Sequence, residues 1–224
     1  VVTTINGALN VNQSVNAANA GNILLQAATT GADDKNLFIN ALIVSGSGHI
    51  SLLANKDLQL TAAGDVTTGA GVVDLRAEMG TLTMNSDSLI MSRGGVIRAR
   101  AQVDVLLGVL NAGAGVLSVN ATTGSITGNG IAAVDLVGGS LRLVAANAVG
   151  GPGTPLDTAV DKVAAQSGAG GIYLVDADLL TVGAISAVSF SRVQSSGVAL
   201  IREDGALAGL VTTDGNGSIV QETI

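Results

Sequence analysis

Apolar residues alternate with others in a seven-residue phrase that opens on glycine and closes on alanine. The phrase reads GNILLQA from Gly21, GHISLLA from Gly48, GVVDLRA from Gly71, GVIRARA from Gly95, GVLSVNA from Gly115, GSLRLVA from Gly139 and GIYLVDA from Gly171. A period of two puts the positions two, four and six after each glycine on one face of a β-strand. Ile23, Ile50, Val73, Ile97, Leu117 and Leu141 are then equivalent, and each phrase ends on an inward alanine. The alternate positions carry Asp74, Arg76, Arg98, Arg100, Ser118, Asn120 and Arg142, which this pattern sends to water. The seven phrases are then seven rungs of one wall, although in the last Gly170 and Gly171 allow two registers.

Self-similarity with a period in the twenties marks a solenoid. Between the phrases the alternation resumes, in LQLTA at Leu58, TLTMN at Thr81 and VDVLL at Val103, with turn signals such as Ala63-Gly64-Asp65 and Arg93-Gly94-Gly95 between strands. A unit of two or three short strands and their bends is one coil of a parallel β-helix. The expected fold is therefore all-β: a right-handed parallel β-helix of about eight to nine rungs, forming a single module over residues 1–224. Like residues stack on like in such a coil, which explains an interior of aliphatic columns in a chain with two Phe, one Tyr and no Trp. One excursion breaks the period near 150–168, where both prolines occur. Thr154 as N-cap, Pro155 at the first helical position, and Leu156, Val160, Val163 and Ala164 on one face predict a loop with a short helix. A strand from Ala159 to Ala165 is the rival reading.

Composition narrows the function. Hydrophobic residues make up 47 % of the 224 and charged residues 12 %, so a core is expected and disorder is not. The 31 glycines have no three-residue period and read as turns. A net charge of -7 disfavours nucleic acid as a partner. The most apolar stretch, Val103 to Val119, is interrupted by Asp104, Asn111 and Ser118, so membrane insertion is not expected. No basic segment or cleavage signature precedes Val1, which places any export signal outside these residues. With no cysteine, thiolate chemistry and cysteine-held metals are excluded.

Three longer stretches carry a resemblance: GHISLLANKDLQLTAAGDV, SLRLVAANAVGGPGTPLDTAVDKVAAQSGAGGIYLVDADLLTVGAIS and TTDGNGSIV. Together they are similar to the repeat regions of filamentous haemagglutinin-like bacterial proteins, giant adhesins built from β-solenoid arrays. The resemblance spans essentially the whole chain. It implies an extracellular or cell-surface β-helix secreted as part of a much longer polypeptide, and it brings no catalytic residues.

The candidate chemistry is sparse, and no enzyme, cofactor or metal is expected. His49, the one histidine, follows a phrase glycine and reads as a surface residue. The carboxylate pairs Asp33-Asp34, Asp176/Asp178 and Glu203-Asp204 raise the alternative of a carbohydrate-active β-helix. Adjacent strand residues face opposite ways, however, and Asp33-Asp34 sits in a turn-like TGADDKN. Calcium at DGNGS (Asp214) or DAD (Asp176) would need six to eight oxygens, and both runs read as turns. The sequons at Asn12, Asn120 and Asn216 are read as chance matches.

Two interaction features remain. Arg76, Arg98, Arg100 and Arg142 would form an outward basic strip on an acidic rod, read first as solvated charges that discourage edge pairing and, more sharply, as a dock for an acidic polysaccharide, a host surface or another rod. The strands holding Val1, Val2 and Ile5, and Ile219, Val220 and Ile224, carry no capping pattern and read as stacking ends for neighbouring modules or copies of the same protein. The expected role is a structural, adhesive module of a secreted or cell-surface fibre. Its main alternative is a non-covalent filament subunit stacking head to tail.

Overall fold

Alternation with a turn every few residues yields strands too short to stand alone, and each gains its partners from the coils above and below. A computed structural model describes residues 1–27, 35–130, 134–214 and 217–223. The described chain is all-β, with 24 strands in one parallel, continuously stacked sheet and two small antiparallel pairs. It coils into a β-solenoid of about seven turns, slightly fewer than the eight to nine rungs expected. Residues 183–209, which leave the coil between Val182 and Leu210, add no rung to it. No helix is long and apolar enough to cross a membrane among the described residues.

Each turn has three walls. The first stacks Val2–Thr4, Ile23–Ala27, Ile50–Ala54, Val73–Ala77, Ile97–Ala101, Val116–Ala121, and the second halves of Leu136–Ala145 and Leu156–Ser167. The second contains Leu37–Ile39, Leu58–Leu60, Leu82–Met84, Val105–Leu107 and Ile126–Gly128. The third contains Val15–Ala17, Ile43–Ser45, Val66–Thr68, Leu89–Met91 and Val109–Asn111. The core is the set of columns where the walls face one another. Ile23, Ile50, Val73, Ile97, Leu117 and Leu141 lie in one unbroken register, and all are buried. Because each interior strand is paired with the coils on either side, burial of aliphatic side chains at roughly 25 cal/mol per Å² comes with backbone groups already satisfied.

The phrase glycines have a packing reason. A methyl on Gly48 would fall on the carbonyl oxygen of Gly21, one on Gly71 on that of Gly48, one on Gly95 on that of Gly71, and one on Gly115 on that of Gly95. The corner thus brings backbone against backbone from coil to coil. Hydroxyls serve the carbonyls there: Ser45 donates to Gly21 O at 2.7 Å and Thr68 to Gly48 O at 2.8 Å. At other corners a side chain continues the ladder. Asp57 accepts the Thr81 N–H, Asp65 that of Leu89, and Asp104 that of Ser125, each at 2.8 Å.

Two expectations are corrected. The seventh phrase does not join the first wall. After Leu141 the column continues with Val163, while Ile172 of GIYLVDA pairs with Val149 on the second wall. The excursion near 150–168 also holds no helix. Leu156–Ser167 is a twelve-residue strand paired with Leu136–Ala145, which extends the rival strand reading at both ends. Thr154 is not an N-cap. It exchanges backbone hydrogen bonds with Gly151 at 3.0 and 3.1 Å across Pro152 and Gly153, whose φ is 96°. Proline followed by a positive-φ glycine closes a tight turn, and the β-branched Thr158, Val160 and Val163 then favour the extended chain.

Candidate functional site

The most elaborate chemistry lies on the outside of the first wall, beneath a hairpin that leaves the solenoid and returns to the same point. Val163 pairs with Val182 and Ala165 with Leu210, so residues 183–209 form an insertion within one strand. Its mouth is closed by Gly209 N–H donating to Gly183 O at 3.0 Å. Val188–Val193 and Ala199–Asp204 form the antiparallel arms, and Ala184–Ile185 and Leu207–Ala208 the base. Gly197, at φ 82°, turns the tip. The apolar positions of the first arm face the wall, and Ile185, Val188, Phe190 and Val193 are buried.

The hairpin runs across the rungs. One outward column of the wall reads Leu24, Ser51, Asp74, Arg98, Ser118, Arg142 and Ala164 from rung to rung. The hairpin meets that column in order, from tip to base. Asn22, beside Leu24, donates to Gly197 O at 3.0 Å, and Ser51 accepts the Val193 N–H at 2.9 Å. Arg192 donates to both oxygens of Asp74, at 2.6 and 3.2 Å, and Arg98 donates to Asp74 at 3.1 Å. Arg98 also reaches both oxygens of Asp204, at 3.1 and 2.9 Å, and Ser118 donates to Asp204 at 2.8 Å. Arg142 Nε donates to Gly205 O at 2.6 Å. The Phe190 ring lies 4.4 Å from the Arg98 guanidinium carbon and 5.6 Å from that of Arg192, within cation–π range.

These charges alternate along the network: Arg192, Asp74, Arg98, Asp204. Asp74 is 0 % exposed and Arg98 3 %. Burial acts to lower the Arg98 pKa, but the charges of Asp74 and Asp204 and their hydrogen bonds outweigh it and hold the guanidinium above its ordinary value. For Arg142 burial wins and the pKa is lowered; its Nη1 is buried without a partner.

The outward basic strip is corrected accordingly. Arg98 and Arg142 are buried under the hairpin, as are Ser51, Asp74 and Ser118 of the same column. Only Arg76 and Arg100, on the next outward column, remain half-exposed, and Arg76 is ion-paired with Glu78. Nothing within the phrases signals this cover. The signal, visible only when distant segments are compared, is that Arg192 and Asp204 bring the charges complementary to Asp74 and Arg98.

The other candidates are placed as follows. His49 is not a free surface residue: it is half-buried, and its Nδ1 accepts the Val72 N–H at 3.0 Å, so the ring extends the corner ladder. Burial lowers its pKa. Asp176 is 0 % exposed and is held by the Thr158 hydroxyl at 2.7 Å and the N–H groups of Val160 and Asp178, whereas Asp178 is exposed. Glu203 accepts from Ser189 at 3.0 Å on the exposed side of the hairpin, opposite in direction to Asp204. Asp214 is exposed. Asp33, Asp34, Asn216 and Ile224 lie outside the described residues. Among the described residues no group of three or more His, Cys, Asp or Glu is arranged to hold a metal ion. Val1, Val2, Ile5, Ile219 and Val220 are all exposed, at 57, 48, 80, 46 and 40 %.

No family model, no curated protein and no solved structure matches this chain.

Proposed function

We propose that this chain is a structural and adhesive β-solenoid module of a secreted or cell-surface bacterial fibre, a stiff spacer that acts through shape rather than catalysis. The observation that carries the reading is the pair of apolar end strands. Val2–Thr4 pairs with Ile23–Ala27 on one edge, and Ile219–Thr223 pairs with Gly171–Asp176 on one edge. Among the described residues no strand covers their other edges, and Val1, Val2, Ile219 and Val220 stand exposed there. An open strand edge with apolar side chains takes up another strand readily, and the in-register rungs between the two ends supply the model for what would sit there. The neighbour is a further module of the same fibre or a second copy, and a head-to-tail contact of that kind grows without closing.

The resemblance of GHISLLANKDLQLTAAGDV and the longer SLRL…GAIS run to haemagglutinin-like repeats supports the extracellular, adhesive part of this reading. Sedimentation of residues 1–224 over a wide concentration range tests it. Self-association should rise with concentration, and Val2→Lys or Val220→Lys should return the monomer. A rod that stays monomeric, with slow amide exchange in both end strands, would overturn the proposal.

A further inference from the structure

Between the hairpin tip and the first wall lies a half-open cleft of about 490 Å³. The size is within the range that holds a small ligand. It is lined by Arg76 from the wall and by Arg192 and Arg202 from the two hairpin arms. Three arginines converge here in a chain whose net charge is -7. Their local compensation is incomplete. Arg76 pairs with Glu78, and Arg192 is held by Asp74. Arg202 is exposed, and its guanidinium, among the described residues, makes no hydrogen bond or ion pair. Three cations against two carboxylates leave one net positive charge. Arg100, directly above Arg76 in the wall, does not line the cleft. Leu24, Leu53 and Val193 also line the cleft, as do Gln26 and Gln194.

We propose that this cleft is a binding site for a small organic monocarboxylate with a neutral, partly apolar body. Arg202 is the free guanidinium that would take the carboxylate, in the planar two-bond geometry that arginine favours. Arg76 and Arg192 keep the local potential positive. Leu53 and Val193 would cover the apolar body, and the Gln26 and Gln194 amides its polar groups. One net positive charge matches a monoanion; a highly charged polyanion would meet the acidic remainder of the rod. The site exists only while the hairpin is seated, because Arg192, Val193, Gln194 and Arg202 all come from the hairpin.

Titration of the isotope-labelled protein, followed by backbone amide shifts, tests this with N-acetyl-leucine as the carboxylate probe. N-acetyl-leucinamide is the neutral control, and inorganic phosphate the control for a generic anion site. N-acetyl-leucine should give saturable shifts centred on Leu53, Val193 and Gln194, and the amide should give none. Arg202→Gln should weaken the carboxylate by about tenfold while leaving thermal stability unchanged, since the substitution keeps the strand pairing and the guanidinium holds nothing in the fold. The proposal is overturned if the amide binds as well as the acid, if phosphate binds more tightly than the acid, if Arg202→Gln binds normally, or if no shift saturates.

Discussion

At the scale of single residues, two kinds of position decide whether the coils can stack. The first is the corner glycine. Gly71 is required less for its own dihedral angles than for the carbonyl of Gly48, which occupies the place a Cβ would take. Gly71→Ala must push two coils apart at that corner, and the expected loss is about 2–4 kcal/mol, read as a fall in the denaturant midpoint with the slope preserved. The second kind is the corner carboxylate, which accepts an N–H from the next coil. Asp135 does this for Asp157 at 3.1 Å, but it is only 3 % exposed, and burial, with the nearby Asp157 charge, pushes its pKa up to about 6. A carboxyl whose folded value is raised binds more protons folded than unfolded between about pH 4 and pH 6. Its contribution is therefore fully favourable below pH 4 and is lost as the pH rises through 6. Asp135→Asn keeps the accepting oxygen and removes the charge. It should raise stability at pH 7 by up to about 2–3 kcal/mol and flatten the stability profile between pH 4 and 6; a variant less stable than the parent at pH 7 would show that the charge itself is needed.

At the scale of elements, the hairpin is held by a desolvated charge network, whose members support one another and tolerate no single removal. Asp74 answers to both Arg98 and Arg192. Asp74→Ala leaves two guanidinium groups facing each other under the hairpin and should cost about 3–5 kcal/mol. Asp74→Asn should cost less, because the carboxamide oxygen still accepts. Equal losses for the two would mean that packing, not charge, holds the hairpin. This element also marks the limit of what could be read in advance. The first-wall register of six phrases was legible because a glycine fixes the start of each. It failed at Lys162–Ser167, where the strand passes from third wall to first without a corner glycine, so that GIYLVDA looked like the next rung. The alternation Asp74, Arg76, Arg98, Arg100 was rightly read as outward. Outward did not mean solvated, because a cover supplied from residues more than a hundred positions away leaves no local periodic trace.

At the scale of the whole molecule, the two architectures have different mechanics. A solenoid is nearly one-dimensional: each coil contacts its neighbours, and opening can begin anywhere along it. The hairpin runs across that direction and ties the rung of Asn22 to the rung of Arg142 through contacts with Ser51, Asp74, Arg98 and Ser118 between them. It is a lateral brace across the rungs, placed to couple coils that would otherwise open independently. The geometry allows a clean test, because Gly183 and Gly209 are already hydrogen-bonded across its mouth. Deleting residues 184–208 and joining those two glycines should leave the stacked sheet in place, with its far-ultraviolet β signal unchanged. Amide exchange should then quicken across Ile50–Ala54, Val73–Ala77, Ile97–Ala101 and Val116–Ala121. Strands of the second wall, such as Leu58–Leu60 and Leu82–Met84, should change least, since the brace does not touch them. Denaturant unfolding should broaden as the rungs uncouple. Exchange that quickens equally on all three walls would instead mean that the hairpin stabilises the fold globally, and exchange that does not change would mean that it braces nothing.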